Sequence, residues 1–401
     1  MRPFIFLIFI IFFISASFGD SGFDSMSTNF SVKLFYLTHT LQGSDLDVVI
    51  SPYTVWSLLM SMAYESAGMT WEEVSKVFSL SENRSEIVEE FRKLRTSVLV
   101  NEGTLINSSN FLFYDEHLNV HSDSIRRLEN DFRFTAQRLN FEAPQLAADS
   151  MLRTLHSHSA NIRNLIRIGA EDFVNSTMIM CNCLSFTARW SKPFNVSDTS
   201  RDLYRDGNVK GGVNMMYMKA QLRSSNLESL HASVTELPYG DDGRYSMLLV
   251  RPDSGHDVGG VLERLREVSL WDILINLRVG AVLFGEREVE VKLPRFAINS
   301  RVTLNSPLFN MGLSNVFDRS LANFNKFAED KMYIGDITQR VTVDITESGT
   351  TVHSTTPAYA LQTTRTPAKR IPVKEPFIFL IMETYSATIL FGGIYSKIDL
   401  Y

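Results

Sequence analysis

The chain has very few cysteines: Cys181 and Cys183 are the only two among 401 residues. Residues two apart in a strand point to the same face, where the geometry is poor for a disulfide, and two thiols are too few ligands for a structural zinc site. We interpret the pair as small buried apolar residues. Without covalent links the fold needs a large apolar core, which a chain of this length permits.

Neither positive nor negative charge is in large excess. The sequence has 39 Lys and Arg against 45 Asp and Glu, a formal net charge of −6. Nucleic-acid binding depends on neutralising phosphates, so this chain is a poor candidate for it. Hydrophobic residues are 44% and charged residues 21%, which is typical of a globular protein and excludes wholesale disorder.

Catalytic and cofactor-binding motifs are absent. The chain contains no His-Glu-x-x-His, no phosphate-binding P-loop, no Gly-x-Ser-x-Gly and no Gly-x-Gly-x-x-Gly. Nothing in the sequence therefore indicates an enzyme, a metal site or a cofactor.

Long apolar runs are missing except at the start, where residues 4–14 are all apolar. This run follows Met1-Arg2 and precedes small residues, which is the pattern of a secretory signal peptide cut after Gly19 or after Ser17. The run is too short to span a membrane. We expect a signal peptide at 1–19 and a soluble, monomeric, extracellular product at 20–401. Five candidate glycosylation sites fit that compartment: Asn29, Asn83, Asn107, Asn175 and Asn195.

Apolar residues recur at helical spacing in the first third of the chain, whereas strand-like alternation follows from about Met178. Helices first and strands later indicate an α+β fold with a large antiparallel sheet. The predicted helices are 29–41, 55–64, 85–98, 122–132 and 146–155, and predicted strands include 289–293, 341–345, 377–382 and 388–391.

Residues 350–372 stand out because they hold seven Thr and three Pro between two strongly predicted strands. This composition predicts a long exposed loop. Such loops in compact domains are usually functional, although a mere flexible connector would have a similar composition.

Six motifs in order resemble the serpin family over essentially the whole mature chain. They are Val49-Ile50-Ser51-Pro52-Tyr53; Asn182 with Phe186, Trp190 and Lys192-Pro193-Phe194; Leu293-Pro294-Arg295-Phe296; Leu308 to Phe317; Glu347-Ser348-Gly349-Thr350; and Glu375 to Phe379 with Phe391 to Ile394. The resemblance implies one domain with three β-sheets, eight or nine helices and an exposed reactive loop at 350–372.

The implied function is inhibition of a serine protease by a suicide trap. The protease cleaves the loop, and the cut loop inserts into the large sheet as a new strand before the acyl-enzyme is hydrolysed. The native state is then metastable, with the strand withheld until cleavage. The implied hinge is Glu347, Gly349, Thr350, Val352, Ser354 and Thr356, and the implied sheet-opening region is Ser51, Asn182, Gln339 and Trp190.

The chain departs from the family in its hinge. Val352 and His353 are bulkier than the small residues that the family favours, and Pro357 cannot donate a hydrogen bond within a central strand. The alternative is a non-inhibitory serpin that acts as a binding or carrier protein, or as a plain protease substrate. A second departure is Gln339, which stands where the family usually has a histidine and would not respond to pH as a histidine does.

The position of the cleaved bond depends on the direction of counting. The family's spacing from Glu347 selects Thr363, and the spacing back from Pro376 selects Arg365. Arg365-Thr366 suits a trypsin-like protease with an acidic pocket, so we assign it as the reactive bond, with Arg370 as another basic candidate.

A glycosaminoglycan site is a further possibility on the fourth helix, which carries Arg84, Arg92, Lys93 and Arg95. Neighbouring glutamates favour an ordinary solvated helix instead.

Overall fold

The computed structural model describes residues 22–43, 47–100, 104–158, 168–174, 176–206, 209–358 and 370–399. The predicted signal peptide and the Arg365-Thr366 bond lie outside these residues. No helix in the described ranges is long and apolar enough to cross a membrane.

Nine α-helices occur in the described part of the chain, and the five predicted ones are among them. The helix over 52–65 begins with Pro52 in its first turn and is buried along nearly its whole length, as its apolar composition requires. The helices are α1 Gly22–Gln42, α2 Pro52–Glu65, α3 Gly68–Val77, α4 Arg84–Val98, α5 Ser122–Asn130, α6 Pro144–His158, α7 Val258–Leu265, α8 Leu270–Phe284 and α9 Asn305–Met311.

Fifteen strands in the described ranges form three sheets. They are β1 Val49–Ile50, β2 Thr104–Asp115, β3 Phe134–Leu139, β4 Met178–Arg189, β5 Ser200–Asp206, β6 Val209–Leu222, β7 Ser224–Leu227, β8 Ala232–Pro238, β9 Tyr245–Pro252, β10 Arg287–Pro294, β11 Phe296–Thr303, β12 Thr338–Thr346, β13 Gly349–Ala358, β14 Arg370–Glu383 and β15 Thr388–Asp399.

The large sheet has the strand order β11-β12-β13-β4-β2-β3. Its neighbours are antiparallel except β2 and β3, which are parallel. A second six-stranded sheet has the order β1-β15-β14-β9-β8-β7, and β10-β6-β5 form the third. The α+β fold with three sheets is therefore confirmed.

The apolar core lies on one face of the large sheet. Val341, Val343 and Ile345 of β12 alternate with more exposed residues and join one extended cluster, as their period of two predicts. The terminal hairpin of β14 and β15 is buried in the same cluster. A smaller apolar cluster lies on the opposite face of the large sheet and includes Met151 and Leu155 of α6.

One expectation about the loop is wrong. Residues 350–358 were predicted to be exposed before any cleavage, but in the uncut chain they belong to β13, inside the large sheet. Insertion pairs the backbone of this segment with two neighbouring strands, which an exposed loop cannot do. At the other end of the predicted loop, residues 370–372 belong to β14 and pair with β15.

Candidate functional site

The inserted strand β13 is paired on both sides. Val352 lies opposite Val343 of β12 and opposite Phe186 of β4. The pairing with β12 runs from Gly349 to Thr355, and the pairing with β4 continues to Ala358. Residues 349–355 are therefore able to serve as a central strand.

Side chains of β13 alternate as the inserted strand requires. Thr350, Val352 and Ser354 point to the main core and are 2%, 0% and 0% exposed. All three residues belong to the predicted hinge. The backbone of Thr356, the last of the predicted hinge residues, pairs with Asn182 of β4, but its side chain is not among those described.

Among the described side chains of β13, three polar atoms are buried without a hydrogen-bond partner: Nδ1 of His353, Oγ of Ser354 and Oγ1 of Thr355. An unsatisfied buried polar group costs about 1–3 kcal/mol. Burial also lowers the pKa of His353 from its ordinary value, because the charged imidazolium loses its hydration. The inserted strand thus fits by shape but leaves part of its polar surface unsatisfied.

Pro357 lies in β13 opposite Cys181, two residues past the point where pairing with β12 stops. A proline is tolerated where one side of a strand is unpaired, because no neighbour requires its missing N–H. At Pro357, β13 is paired with β4 alone, so the missing N–H can affect the ladder with only one neighbour.

The hinge before β13 is held by the side chains of Thr199 and Arg295, which lie just before β5 and between β10 and β11. Glu347 is 7% exposed; its carboxylate accepts a hydrogen bond from the Thr199 hydroxyl at 3.0 Å and lies 3.7 Å from a guanidinium nitrogen of Arg295. Its backbone oxygen accepts from the N–H of Phe194 at 3.0 Å. These contacts fix the point from which β13 starts.

Trp190 and Tyr239 form the wall beside the hinge. Their rings are stacked with centroids 4.5 Å apart. The Trp190 indole N–H donates to the backbone carbonyl oxygen of Thr346 at 2.9 Å. The Tyr239 hydroxyl donates to Thr350 Oγ1 at 2.8 Å. Sequence reasoning missed Tyr239 as a site residue, since it precedes Gly240-Asp241-Asp242-Gly243, a stretch typical of a turn, and carries no signal of this role.

Ser51 and Gln339, both assigned to the sheet-opening region, are in direct contact. The Gln339 side-chain oxygen accepts from the Ser51 N–H at 2.7 Å. The amide nitrogen of Gln339 donates to the backbone carbonyl oxygen of Ser51 at 2.8 Å and to Thr54 Oγ1 at 2.7 Å. Glutamine can do this because its amide both donates and accepts.

Asn182 belongs to a second polar group on the β4 side of the inserted strand. Its amide nitrogen donates to Asn110 Oδ1 and, at 3.3 Å, to Ser108 Oγ. Trp190, assigned to the same region, lies past the opposite end of β4, roughly 26 Å away at the rise of a strand. The structure thus separates Trp190 from the other three residues and places it at the hinge.

Cys181 and Cys183 lie on the same buried face of β4, in the cluster that α6 covers. Their sulfur atoms are 3.9 Å apart and the thiols are free. The interpretation as small buried residues therefore agrees with their surroundings.

Predicted modification and binding residues lie mostly at the surface. The side chains of Asn29, Asn83, Asn107 and Asn195 are exposed, and Asn175 lies outside the described residues. On α4, Arg92 pairs with Asp131, and Lys93 pairs with Glu90 at 2.8 Å. Arg84 lies over the Trp71 ring at 3.9 Å. These contacts match the solvated-helix interpretation of α4 more closely than a cluster of unpaired cations.

Comparisons with known proteins agree with this geometry. The family model described as Serpin (serine protease inhibitor) matches residues 25–398, and the chain belongs to the serpin family. It is similar to human plasminogen activator inhibitor 2, at 25% identity over 92% of this chain and 98% of that protein. It is also similar to serine protease inhibitor 88Ea of Drosophila melanogaster, at 27% identity over 92% of this chain and 88% of that protein.

Among solved structures, a thermophilic serpin, tengpin, in its latent state is similar in fold. The TM-score is 0.81 at 18% sequence identity, covering 95% of this chain and 99% of tengpin. Serpins are protease inhibitors and not catalysts, so the chain is not an enzyme.

Proposed function

We propose that this protein is an extracellular inhibitor of a trypsin-like serine protease and acts as a suicide trap. The observation that carries the proposal is the fit of β13, which pairs with β12 and β4 and buries Thr350, Val352 and Ser354. Relatives named as protease inhibitors support the same general class.

The trap needs two conformations, with residues 349–358 outside or inside the large sheet. In the first, the protease serine attacks the carbonyl carbon of Arg365; an ester bond forms, the Arg365-Thr366 peptide bond breaks, and the new amine leaves. Insertion of β13 then gives β12 and β4 a shared neighbour and carries the attached protease away from its approach position. Insertion must be faster than hydrolysis of the ester for the trap to succeed.

Incubation with trypsin, followed by denaturing gel electrophoresis, tests this proposal. We expect a complex that resists the detergent, and Arg365→Ala should abolish it. Arg370→Ala is the matched control and should leave the complex intact. Sequencing of the released fragment should begin at Thr366. A start at Ile371 would move the site to Arg370, and a start at Thr364 would exclude a trypsin-like target.

The second candidate is a non-inhibitory serpin that binds or carries a ligand, or that is simply cleaved. It is favoured by the unpartnered polar atoms of His353, Ser354 and Thr355, which reduce the gain from insertion. A clipped band without any complex, at every ratio of protein to trypsin, would support this candidate and reject the trap.

Secretion, glycosylation and a monomeric state are part of the proposal. The apolar run at 4–14 and the exposed side chains of Asn29, Asn83, Asn107 and Asn195 support it. The intact mass of protein collected from the culture medium should lack residues 1–17 or 1–19 and include at least two glycans. A mass that retains the start and carries no glycan would contradict cleavage of a signal peptide and glycosylation.

A further inference from the structure

Tyr239 makes a buried contact with the inserted strand. It follows β8 directly, and its hydroxyl donates to Thr350 Oγ1 at 2.8 Å. Tyr239 is 0% exposed and Thr350 2% exposed. The two residues are 111 positions apart in the chain, so only the folded sheet brings them together.

The position of the Tyr239 ring is fixed by its neighbours. Trp190 stacks on it at 4.5 Å with 15° between the ring planes, and Phe186 meets it edge to face at 5.2 Å. Trp190 and Tyr239 also form an isolated antiparallel bridge between their backbones. Burial raises the pKa of Tyr239, so the hydroxyl stays protonated and remains a donor.

Thr350 is the first core-facing residue of β13 and directly follows Gly349. Further along the strand, Ser354 Oγ and Thr355 Oγ1 are buried without partners. A hydrogen bond at the start of the strand therefore contributes where the later hydroxyls do not. Its location at the hinge makes it the first bond that a side chain of β13 itself can form as the strand pairs progressively from Gly349.

We propose that Tyr239 is a positioning residue for loop insertion, and that its hydroxyl captures Thr350 to start the pairing of β13. This inference rests on the proposed function, because it assigns a residue to the insertion step of the trap. When residues 349–358 are outside the sheet, the Tyr239 hydroxyl loses this partner, and the free energy of restoring the bond favours insertion.

Hydrogen exchange of the backbone amides of residues 350–355 tests the capture directly, in both the uncut and the loop-cleaved protein. Tyr239→Phe should speed this exchange by about two- to tenfold, the range expected for one net hydrogen bond. Thr350→Val should have the same effect, and the double variant should add nothing further because both changes remove one bond. Thr350→Ser keeps the hydroxyl and should behave as the unmodified protein.

Tyr245→Phe is the matched control, since Tyr245 is a buried tyrosine whose hydroxyl bonds the backbone oxygens of Val98 and Val100 rather than β13. If Tyr239→Phe changes exchange no more than Tyr245→Phe, or if residues 350–355 are unprotected in both forms of the unmodified protein, the inference is overturned. Formation of a complex with trypsin tests the proposed function separately. If the protein never forms a complex but shows the expected exchange pattern, the proposed inhibition is refuted and the role of Tyr239 in capturing Thr350 is retained.

Discussion

Gly349 lies so close to β4 that a Cβ atom added to it would come within 2.1 Å of the carbonyl oxygen of Ala188. The same atom would lie 2.9 Å from the Cα atom of Arg189. Both obstacles are backbone atoms, which cannot rotate away as a side chain can. The glycine in the hinge is therefore required by the close approach of two paired strands.

Gly349→Ala should prevent β13 from seating at its first residue. For protein that starts with residues 349–358 outside the large sheet, we expect the rise in melting temperature that follows loop cleavage to shrink or disappear, because the freed segment no longer completes the sheet. Calorimetry before and after cleavage measures this rise. Gly335→Ala is the control, since an added Cβ there meets nothing within 4 Å; an undiminished rise in Gly349→Ala would contradict the packing argument.

Val352→Glu should block insertion more completely than any change on the opposite face of β13. Val352 is 0% exposed, and a buried unpaired carboxylate costs several kcal/mol. The expected result is clipped product in place of the detergent-resistant complex with trypsin. Thr351→Glu places the same charge on the partly exposed face of the strand and should retain most of the complex. Equal loss in both variants would mean that side-chain direction does not decide insertion.

Insertion should weaken as the pH falls through the ordinary histidine range. Burial lowers the pKa of His353 in the inserted strand, whereas an exposed histidine titrates near 6.5. Below that value the exposed form binds a proton that the inserted form does not, so acid favours the exposed form; above it the pH dependence disappears. On the two adjacent strands, the titratable residues that share this face with His353 are Arg340 and Asp344 of β12 and Cys183 of β4.

The number of inhibitor molecules consumed per trypsin inhibited, measured between pH 5.5 and 8, would follow this effect. That range spans the ordinary pKa of an exposed histidine, about 6.5. His353→Gln should remove the acid-dependent component, and His117→Gln, a change at an exposed site paired with Asp115, should not. A pH profile that is unchanged in His353→Gln would show that His353 does not carry the effect.

Gln339→Ala should destabilise the protein by at least about 2 kcal/mol, because it leaves the buried backbone N–H and carbonyl oxygen of Ser51 without the Gln339 side chain as their partner. The free energy of unfolding from denaturant titration measures the loss. Gln145→Ala removes a glutamine from an exposed position and should have little effect. If both variants lose a similar amount of unfolding free energy, the Gln339 hydrogen bonds do not have this stabilising role.

Much of the fold could be predicted locally. The alternation in 341–345 and the helical spacing in 85–98 place these residues in β12 and α4, as observed. The same local logic failed for 350–358, whose Thr-rich composition resembles a loop. Threonine and valine are also good strand residues. Whether this segment is a loop or a strand is decided by the unpaired edges that β12 and β4 offer on its two sides.

The sequence alone determined which side chains of the hinge can face a core. Thr350, Val352 and Ser354 alternate along the chain, and alternation is a local property of an extended backbone. Only the tertiary structure decided that this segment lies between β12 and β4, that Gly349 touches Ala188, and that the Thr350 hydroxyl meets Tyr239. These contacts join residues far apart in the chain, so they depend on how the whole sheet assembles and have no signature in any short stretch of sequence.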